Sequence, residues 1–271
     1  MANNPQLPTD EVVTANIALS GPDWELRTKV EVPTGPTSVR QLLPAAQAFA
    51  DKVVDAAVQA SEAQGQKISC KKGCGACCRQ LVPIAETEAR HIHDVVEALP
   101  EPRRTEIRTR FADARRQLQE SGLLEKLQNQ NREWQVGESV TFGLQYFAQG
   151  ISCPFLEEGA CSIYADRPIA CREYLVTSPA ENCAKPTAQT IKAVPLPLKV
   201  WTAIARFDKV ATTERFIRWV PLILAPEWAE THPGDSTPRP GPELLQELFE
   251  HMKKTGSALT RPGEADVEAE Q

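Results

Sequence analysis

The cysteines of this chain fall into two groups and occur nowhere else in its 271 residues. Thiolates are soft, negatively charged ligands for zinc, iron and iron–sulfur clusters, and short spacings with glycines let several of them reach one centre. The first group occupies a single short segment, and the second follows after 74 intervening residues. We therefore predict a metal site built from eight ligands: Cys70, Cys74, Cys77, Cys78, Cys153, Cys161, Cys171 and Cys183.

The spacing of the cysteines bears on which metal they hold. Cys70, Cys74 and Cys77 offer three thiolates from one compact loop, and the Cys153–Pro154 pair is similar to the Cys-Pro that closes ferredoxin ligand runs. Structural zinc sites favour paired Cys-x2-Cys knuckles, and only Cys74 and Cys77 form one. We predict an iron–sulfur cluster, with zinc or mononuclear iron as alternatives. One shared cluster and two neighbouring sites both fit the spacing.

Several residues near the cysteines are candidates for supporting roles. Consecutive side chains usually point apart, so we expect Cys77 and Cys78 to play different roles. Arginines beside Cys171 could hydrogen-bond cluster sulfurs, hold an anion or form structural ion pairs, and nearby tyrosines could line the cluster pocket or pack in the core. The predicted supporting residues around the metal are Arg167, Arg172, Tyr164 and Tyr174.

Composition and charge narrow the class of protein. The net charge of −6 argues against non-specific nucleic-acid binding, which needs a basic surface. The sequence shows no signal peptide and no apolar run long enough to span a bilayer, so we expect a cytoplasmic protein that does not contact membranes. A reducing cytoplasm favours metal ligation over disulfides. We expect the partner to be a protein or redox partner of unknown identity.

Hydrophobic periodicity predicts the elements that position the cysteines. Residues 12–32 read as a β-hairpin, because apolar and charged residues alternate after Trp24 and a turn sequence lies at residues 20–23. Helical spacing follows from Leu42 to Ala60, and further helices are predicted at 87–99, 102–118 and, weakly, 122–128. Residues 190–194 read as a strand and 212–224 as a helix.

These elements predict a mainly α-helical fold (α+β) with a small N-terminal β-hairpin and cysteine-rich loops joined by a metal site. We divide the chain into a hairpin and linker at 1–37, a helical cysteine-cluster domain at 38–228, and a proline-rich linker with a largely disordered tail at 229–271. Within that last segment, Leu244 to Met252 is predicted to form one short amphipathic helix.

The cysteine motifs resemble those of a known family. The pattern Cys-x3-Cys-Gly-x-Cys-Cys at residues 70–78, with the motifs at 153–156, 159–164 and 167–174, is similar to the CxxCxxCC (YkgJ-like) cysteine-cluster family. The resemblance implies zinc or iron chelation or an iron–sulfur cluster. Here three residues, and not two, separate Cys70 from Cys74.

Three functional classes follow from this combination. The first is an iron–sulfur protein acting as an electron-transfer component or oxidoreductase. The second is a metal-dependent protein lysine N-methylase, since those enzymes have similar cysteine motifs, although this chain shows no glycine-rich nucleotide loop. The third is a zinc-stabilised interaction module without catalysis.

Overall fold

The computed structural model describes residues 11–129, 137–187, 189–207, 217–234 and 236–256. The helices of these residues are α1 Val39–Ala63, α2 Glu86–Glu97, α3 Arg103–Glu120, α4 Leu124–Gln128, α5 Glu138–Ala148, α6 Ile169–Arg172, α7 Ala180–Ala184, α8 Val200–Ala205, α9 Ala225–Thr231 and α10 Gly241–Gly256. The strands are β1 Val12–Gly21, β2 Trp24–Pro33, β3 Pro36–Thr37, β4 Pro83–Ile84, β5 Leu156–Glu157, β6 Ala160–Cys161, β7 Val220–Pro221 and β8 Arg239–Pro240. The predicted fold class, helical with a small N-terminal hairpin, is confirmed.

The N-terminal hairpin forms as the alternation predicts. Strands β1 and β2 pair antiparallel from Val12 opposite Pro33 to Gly21 opposite Trp24. On β2 the residues Leu26, Val30 and Val32 are buried, while the charged residues between them face solvent. One face of the hairpin therefore packs on the helices, since period-two alternation places the buried side chains of β2 on that side.

Helix α1 is the main support of the first core. Its start is fixed by a capping box, in which the Ser38 hydroxyl accepts from the Gln41 N–H at 3.3 Å and the Gln41 side chain accepts from the Ser38 N–H at 2.8 Å. Leu42, Phe49 and Val53 are buried along one stripe against the hairpin, α8 and α10. Burial of this stripe, more than helix propensity, holds a helix of 25 residues in place.

The amphipathic helix predicted near the C-terminus is present as α10, and it belongs to the same core. Leu244, Leu248 and Met252 are each at most 1% exposed and pack with α1, α8 and β2. The preceding strand β8 pairs with β3, beside the end of the hairpin. Helix α10, at the end of the described chain, thus packs in the same core as the N-terminal hairpin. The predicted disordered tail at 257–271 lies outside the described residues.

Two further apolar clusters carry the segments that contain the second cysteine group. One joins α2, the first half of α3, α9 and Phe155, with Cys153 and Cys161 packed at its edge. The other joins the end of α3 with α4, α5 and Ile151. Strand β4, which follows the first cysteine group, pairs with β7 and anchors that loop to both clusters. The cysteine loops are therefore flanked by helices and strands that are packed in these two clusters.

Two local predictions are wrong. Residues 190–194 do not form a strand, since only Ala193 makes an isolated bridge, to Val176. The described part of 212–224 contains β7 and a 3-10 helix at Leu222–Leu224 in place of an α-helix, and residues 208–216 lie outside the described range. Short apolar runs do not distinguish a buried helix from a buried strand or turn. Among the described helices, none is both long and apolar enough to cross a bilayer.

Candidate metal centre

The first cysteine group lies in a tight loop between α1 and β4. A turn closes from the Cys74 N–H to the Lys71 carbonyl at 3.0 Å, with Gly73 at a φ of +85° that glycine adopts without strain. A second turn closes from the Cys78 N–H to the Gly75 carbonyl at 3.0 Å. Two consecutive turns fold the loop back on itself, so four cysteines fit in nine residues.

The second group is spread over three short elements. Cys153 precedes the hairpin β5–β6 and Cys161 ends it, with Glu158 and Gly159 forming the turn at φ values of 47° and 80°. Cys171 lies in α6, which begins after Pro168, and Cys183 lies in α7. The hairpin thus presents two thiols and the two short helices one each, whereas the first loop alone presents four.

The two groups meet through their backbones. The Cys153 N–H donates to the Cys78 carbonyl at 2.7 Å, and the Ser69 N–H donates to the Val176 carbonyl at 2.9 Å. A Cβ placed on Gly75 would lie 2.7 Å from the Gly159 carbonyl oxygen, so the first loop and the β5–β6 turn are in direct contact. The convergence of the two loops, expected from the sequence, is present in the structure.

The predicted ligands line one cavity of about 350 Å³. Apolar side chains, among them Val54 of α1, Phe155 and Leu222, form part of its wall. None of the cysteines, all of which are in the described part of the chain, is in a disulfide. The cysteines that line the cavity are Cys70, Cys74, Cys77, Cys78, Cys153, Cys161, Cys171 and Cys183.

The different roles expected for Cys77 and Cys78 stay a prediction. Their side chains were expected to point apart, but both line the cavity. The expectation holds for extended backbone, where successive side chains point to opposite faces. Residues 76–79 instead form a turn, which brings the two neighbouring thiols onto the same side.

Several of these thiols have a raised pKa, which favours their protonated form. Burial raises the pKa of Cys153 to about 12 and raises that of Cys171 well above its ordinary value. The pKa of Cys77 is raised first by its hydrogen bond with Cys78 and then by burial. A buried thiolate without a counter-charge is unfavourable, so a metal cation is the natural partner of this set.

Backbone N–H groups point at several of the sulfurs. The N–H groups of Phe155, Ile163 and Val176 face Cys153, Cys161 and Cys70 respectively and oppose the increase in the pKa of these thiols caused by burial. Hydrogen bonds to sulfur stabilise thiolates at metal centres and tune cluster potentials. The loops are thus arranged for sulfur in its charged form.

Arg172 holds the loop before Cys171 in place. It is 7% exposed, pairs with Asp51 of α1 at 2.7 Å, and donates to the backbone carbonyls of Arg167, at 3.0 Å, and Ala165. These contacts fix the loop before α6 on the surface of α1. Of the alternatives considered from sequence, the ion pair describes this arginine best.

Glu88 is a supporting residue that the sequence does not reveal. Its buried carboxylate accepts from the Ile169 N–H at 2.7 Å and from the Ala85 N–H at 2.9 Å, so it joins the start of α2 to the start of α6. Burial raises its pKa to about 7. The bond to Ile169 links residues 81 positions apart, and no local pattern indicates such a contact.

The other predicted supporting residues line the cavity. The guanidinium carbon of Arg167 lies 4.2 Å from the ring centre of Tyr164, and its buried Nε has no hydrogen-bond partner among the described residues. Its charge opposes the increase in the pKa of Cys70, Cys77 and Cys161. Tyr164 is 43% exposed.

Tyr174 is half-buried, and its hydroxyl accepts from the Gln80 side chain at 3.1 Å. Of these supporting residues, Arg167 is the cation whose charge can offset thiolate charge, because it opposes the increase in the pKa of three thiols.

The donor set suits zinc or iron. Soft thiolates with N–H donors at their sulfurs and a nearby guanidinium match the ligand chemistry of both metals. Among the described residues, no three His, Cys, Asp or Glu side chains already converge on one point as ligands of a single ion. The cysteines instead line a larger cavity.

Comparison with known proteins agrees with this donor set. No curated protein and no solved structure shows detectable similarity to the chain. A family model matches residues 69–192, the segment that contains all eight cysteines. The matched model is that of the CxxCxxCC family, which is described as a putative zinc- or iron-chelating domain.

Proposed function

We propose that this protein binds iron as an iron–sulfur centre in the cysteine cavity and acts as a redox component. The observation that carries the proposal is the convergence of eight thiols from two distant segments on one cavity of about 350 Å³. A single tetrahedral zinc ion uses four ligands at roughly 2.3 Å. Eight donors around a larger space exceed that need, whereas a cluster supplies several metal atoms to bind.

The surroundings support one-electron chemistry. The apolar wall and the N–H donors would stabilise a buried charged centre, and both features set the potential of iron–sulfur clusters. The centre would take one electron from a protein redox partner and pass it on, with no bond made or broken in the chain. Within the cavity wall, Tyr164 is well exposed and marks a side accessible to such a partner.

A basic rim suggests how a partner would dock. Lys71, Lys72 and Arg79 are exposed around the first cysteine loop, although the chain as a whole carries a net charge of −6. Exposed charges of one sign steer an oppositely charged face. We propose an acidic protein surface as the partner's contact, and a cytoplasmic location, because eight reduced thiols persist in a reducing compartment.

A redox titration tests this function. Protein purified without oxygen should absorb in the visible range, lose that absorbance on reduction with dithionite and recover it on reoxidation. The matched control is Cys171→Ser, in which the absorbance should fall sharply. A colourless protein that carries zinc and shows no redox change would contradict the proposal and leave a zinc-stabilised interaction module as the function.

A further inference from the structure

The outer edge of strand β1 has no partner within the described residues. Strand β1 pairs only with β2, in a two-stranded sheet. The Thr34 N–H donates to the Glu11 carbonyl at 2.8 Å, so these two residues form a hydrogen-bonded pair of the antiparallel ladder. Because such pairs alternate along a ladder, the odd-numbered residues of β1 bond to β2 and the even-numbered residues direct their N–H and C=O groups outward. The outward residues, all of them exposed, are Val12, Thr14, Asn16, Ala18 and Ser20.

The two edges of the hairpin differ in their protection against another strand. Natural sheets block an open edge with charged side chains or proline, because unpaired backbone groups otherwise bind a further strand. The residues of β2 that lie opposite the outward residues of β1 are Pro33, Glu31, Lys29, Arg27 and Glu25. Each of these is charged or proline, whereas β1 has neither a charged residue nor a proline in its ten positions. The edge of β2 is therefore protected against strand addition, and the edge of β1 is not.

The apolar side chains of β1 also favour the addition of a strand. Ala15, Ile17 and Leu19 are only partly buried against the core that α1 supports. Val13, which the alternation places on the same face, is 38% exposed. A strand added at this edge would cover part of this apolar row and would pair the outward backbone groups at the same time.

We propose that the edge of β1 binds the same edge of a second copy of this chain, in antiparallel orientation. The four-stranded sheet then has the order β2–β1–β1–β2, and only the protected edges of β2 remain outside. Pairing about a two-fold axis covers both unprotected edges at once and ends the assembly at a dimer, the commonest form of homo-oligomer. None of the residues of β1 and β2 lines the cysteine cavity, so this inference does not depend on the metal or on the proposed function.

The mass of the full-length chain in solution tests this pairing. The protein is purified without oxygen and kept in reductant, so that disulfides cannot join two chains, and analytical ultracentrifugation should then give twice the mass of one chain. In the dimer, the amides of Thr14, Asn16 and Ala18 should exchange with solvent at least about tenfold more slowly than unprotected amides. A monomer at about 100 μM, where even a weak complex is populated, would overturn the proposal, and so would unprotected exchange at these amides in a dimer.

Proline substitutions on the two strands supply a matched pair of variants. Asn16→Pro removes an outward N–H and places the proline ring where the second copy binds, but it leaves the bonds between β1 and β2 intact. Lys29→Pro makes the same change directly across the hairpin, on the protected edge. Asn16→Pro should therefore be a monomer and Lys29→Pro a dimer.

The outcomes decide between this edge and any other surface. A dimer in Asn16→Pro, or a monomer in both variants, would overturn pairing through β1. Circular dichroism monitors the folding of the variants, and hydrogen exchange in the wild type tests the edge if Asn16→Pro does not fold. A monomeric wild type that carries iron and sulfide would overturn this inference and leave the proposed function in place.

Discussion

The contact between Gly75 and Gly159 provides the sharpest test of how the two cysteine loops are joined. A methyl group at position 75 would lie 2.7 Å from the Gly159 carbonyl oxygen and 2.5 Å from Leu156 Cδ1. The leucine side chain can rotate away, but the carbonyl oxygen cannot. Since ordinary contacts begin at 3.4 Å, the two backbones must separate by about 0.7 Å.

We therefore expect Gly75→Ala to destabilise the protein and weaken metal binding together. Overpacking of this kind costs about 1–3 kcal/mol, which lowers the melting temperature by several degrees. The separation also exceeds the roughly 0.2 Å tolerance of metal–ligand distances, so metal affinity should fall about 10–100-fold, as for changes around the ligands. Thermal melting and metal content per chain measure the two effects.

Gly143→Ala is the matched control, because a Cβ there would meet none of the described residues within 4 Å and the residue lies inside helix α5. Alanine is favoured over glycine in a helix by about 0.5–1 kcal/mol, so this variant should melt at the wild-type temperature or slightly higher. If Gly75→Ala kept full metal content and melted with the control, the two loops would not be packed as described.

Four other predictions concern metal, protons, the support of α6 and the tail. Removing the metal should lower the melting temperature, because ligation ties together segments about a hundred residues apart; an unchanged melt in verified metal-free protein would contradict a structural role. Zinc affinity, measured by competition with a chelator, should rise by about tenfold per pH unit for each proton that zinc displaces, because burial raises the pKa of Cys153 to about 12. An affinity that does not change between pH 6 and 8 would show that the ligands are already ionised. Glu88→Ala should lower the free energy of unfolding by about 1–3 kcal/mol for each N–H left unpaired, at Ala85 and Ile169, and should reduce the metal content. A variant as stable to denaturant as the wild type would refute the bridging role of Glu88. Deleting residues 257–271 should leave metal content and melting intact, because this acidic segment has almost nothing to bury; lost metal would contradict that interpretation.

Much of the fold follows from local patterns in the sequence. The hairpin and helices α1 to α3 were predictable because period-two and 3.6-residue alternations extend over ten residues or more in each. The short elements after the second cysteine group were not, since runs of two to seven residues carry no usable periodicity. The integration of α10 with the hairpin also escapes sequence reasoning, because an amphipathic pattern shows that a helix buries one face but not which partner covers it.

The candidate site shows the same division. Residue type and spacing identified the cysteines, and the structure places them on one cavity. The shared orientation of Cys77 and Cys78 depends on a turn, and the role of Glu88 depends on a hydrogen bond across 81 residues. Both are consequences of tertiary packing, which a single sequence does not encode in any local pattern.

We propose that the cysteine cavity holds an iron–sulfur centre. Quantitation of iron and acid-labile sulfide per chain in wild-type protein purified without oxygen tests it most directly. We expect iron and sulfide together, in comparable and stoichiometric amounts per chain. Zinc without sulfide, or no stoichiometric metal in folded protein, would contradict it.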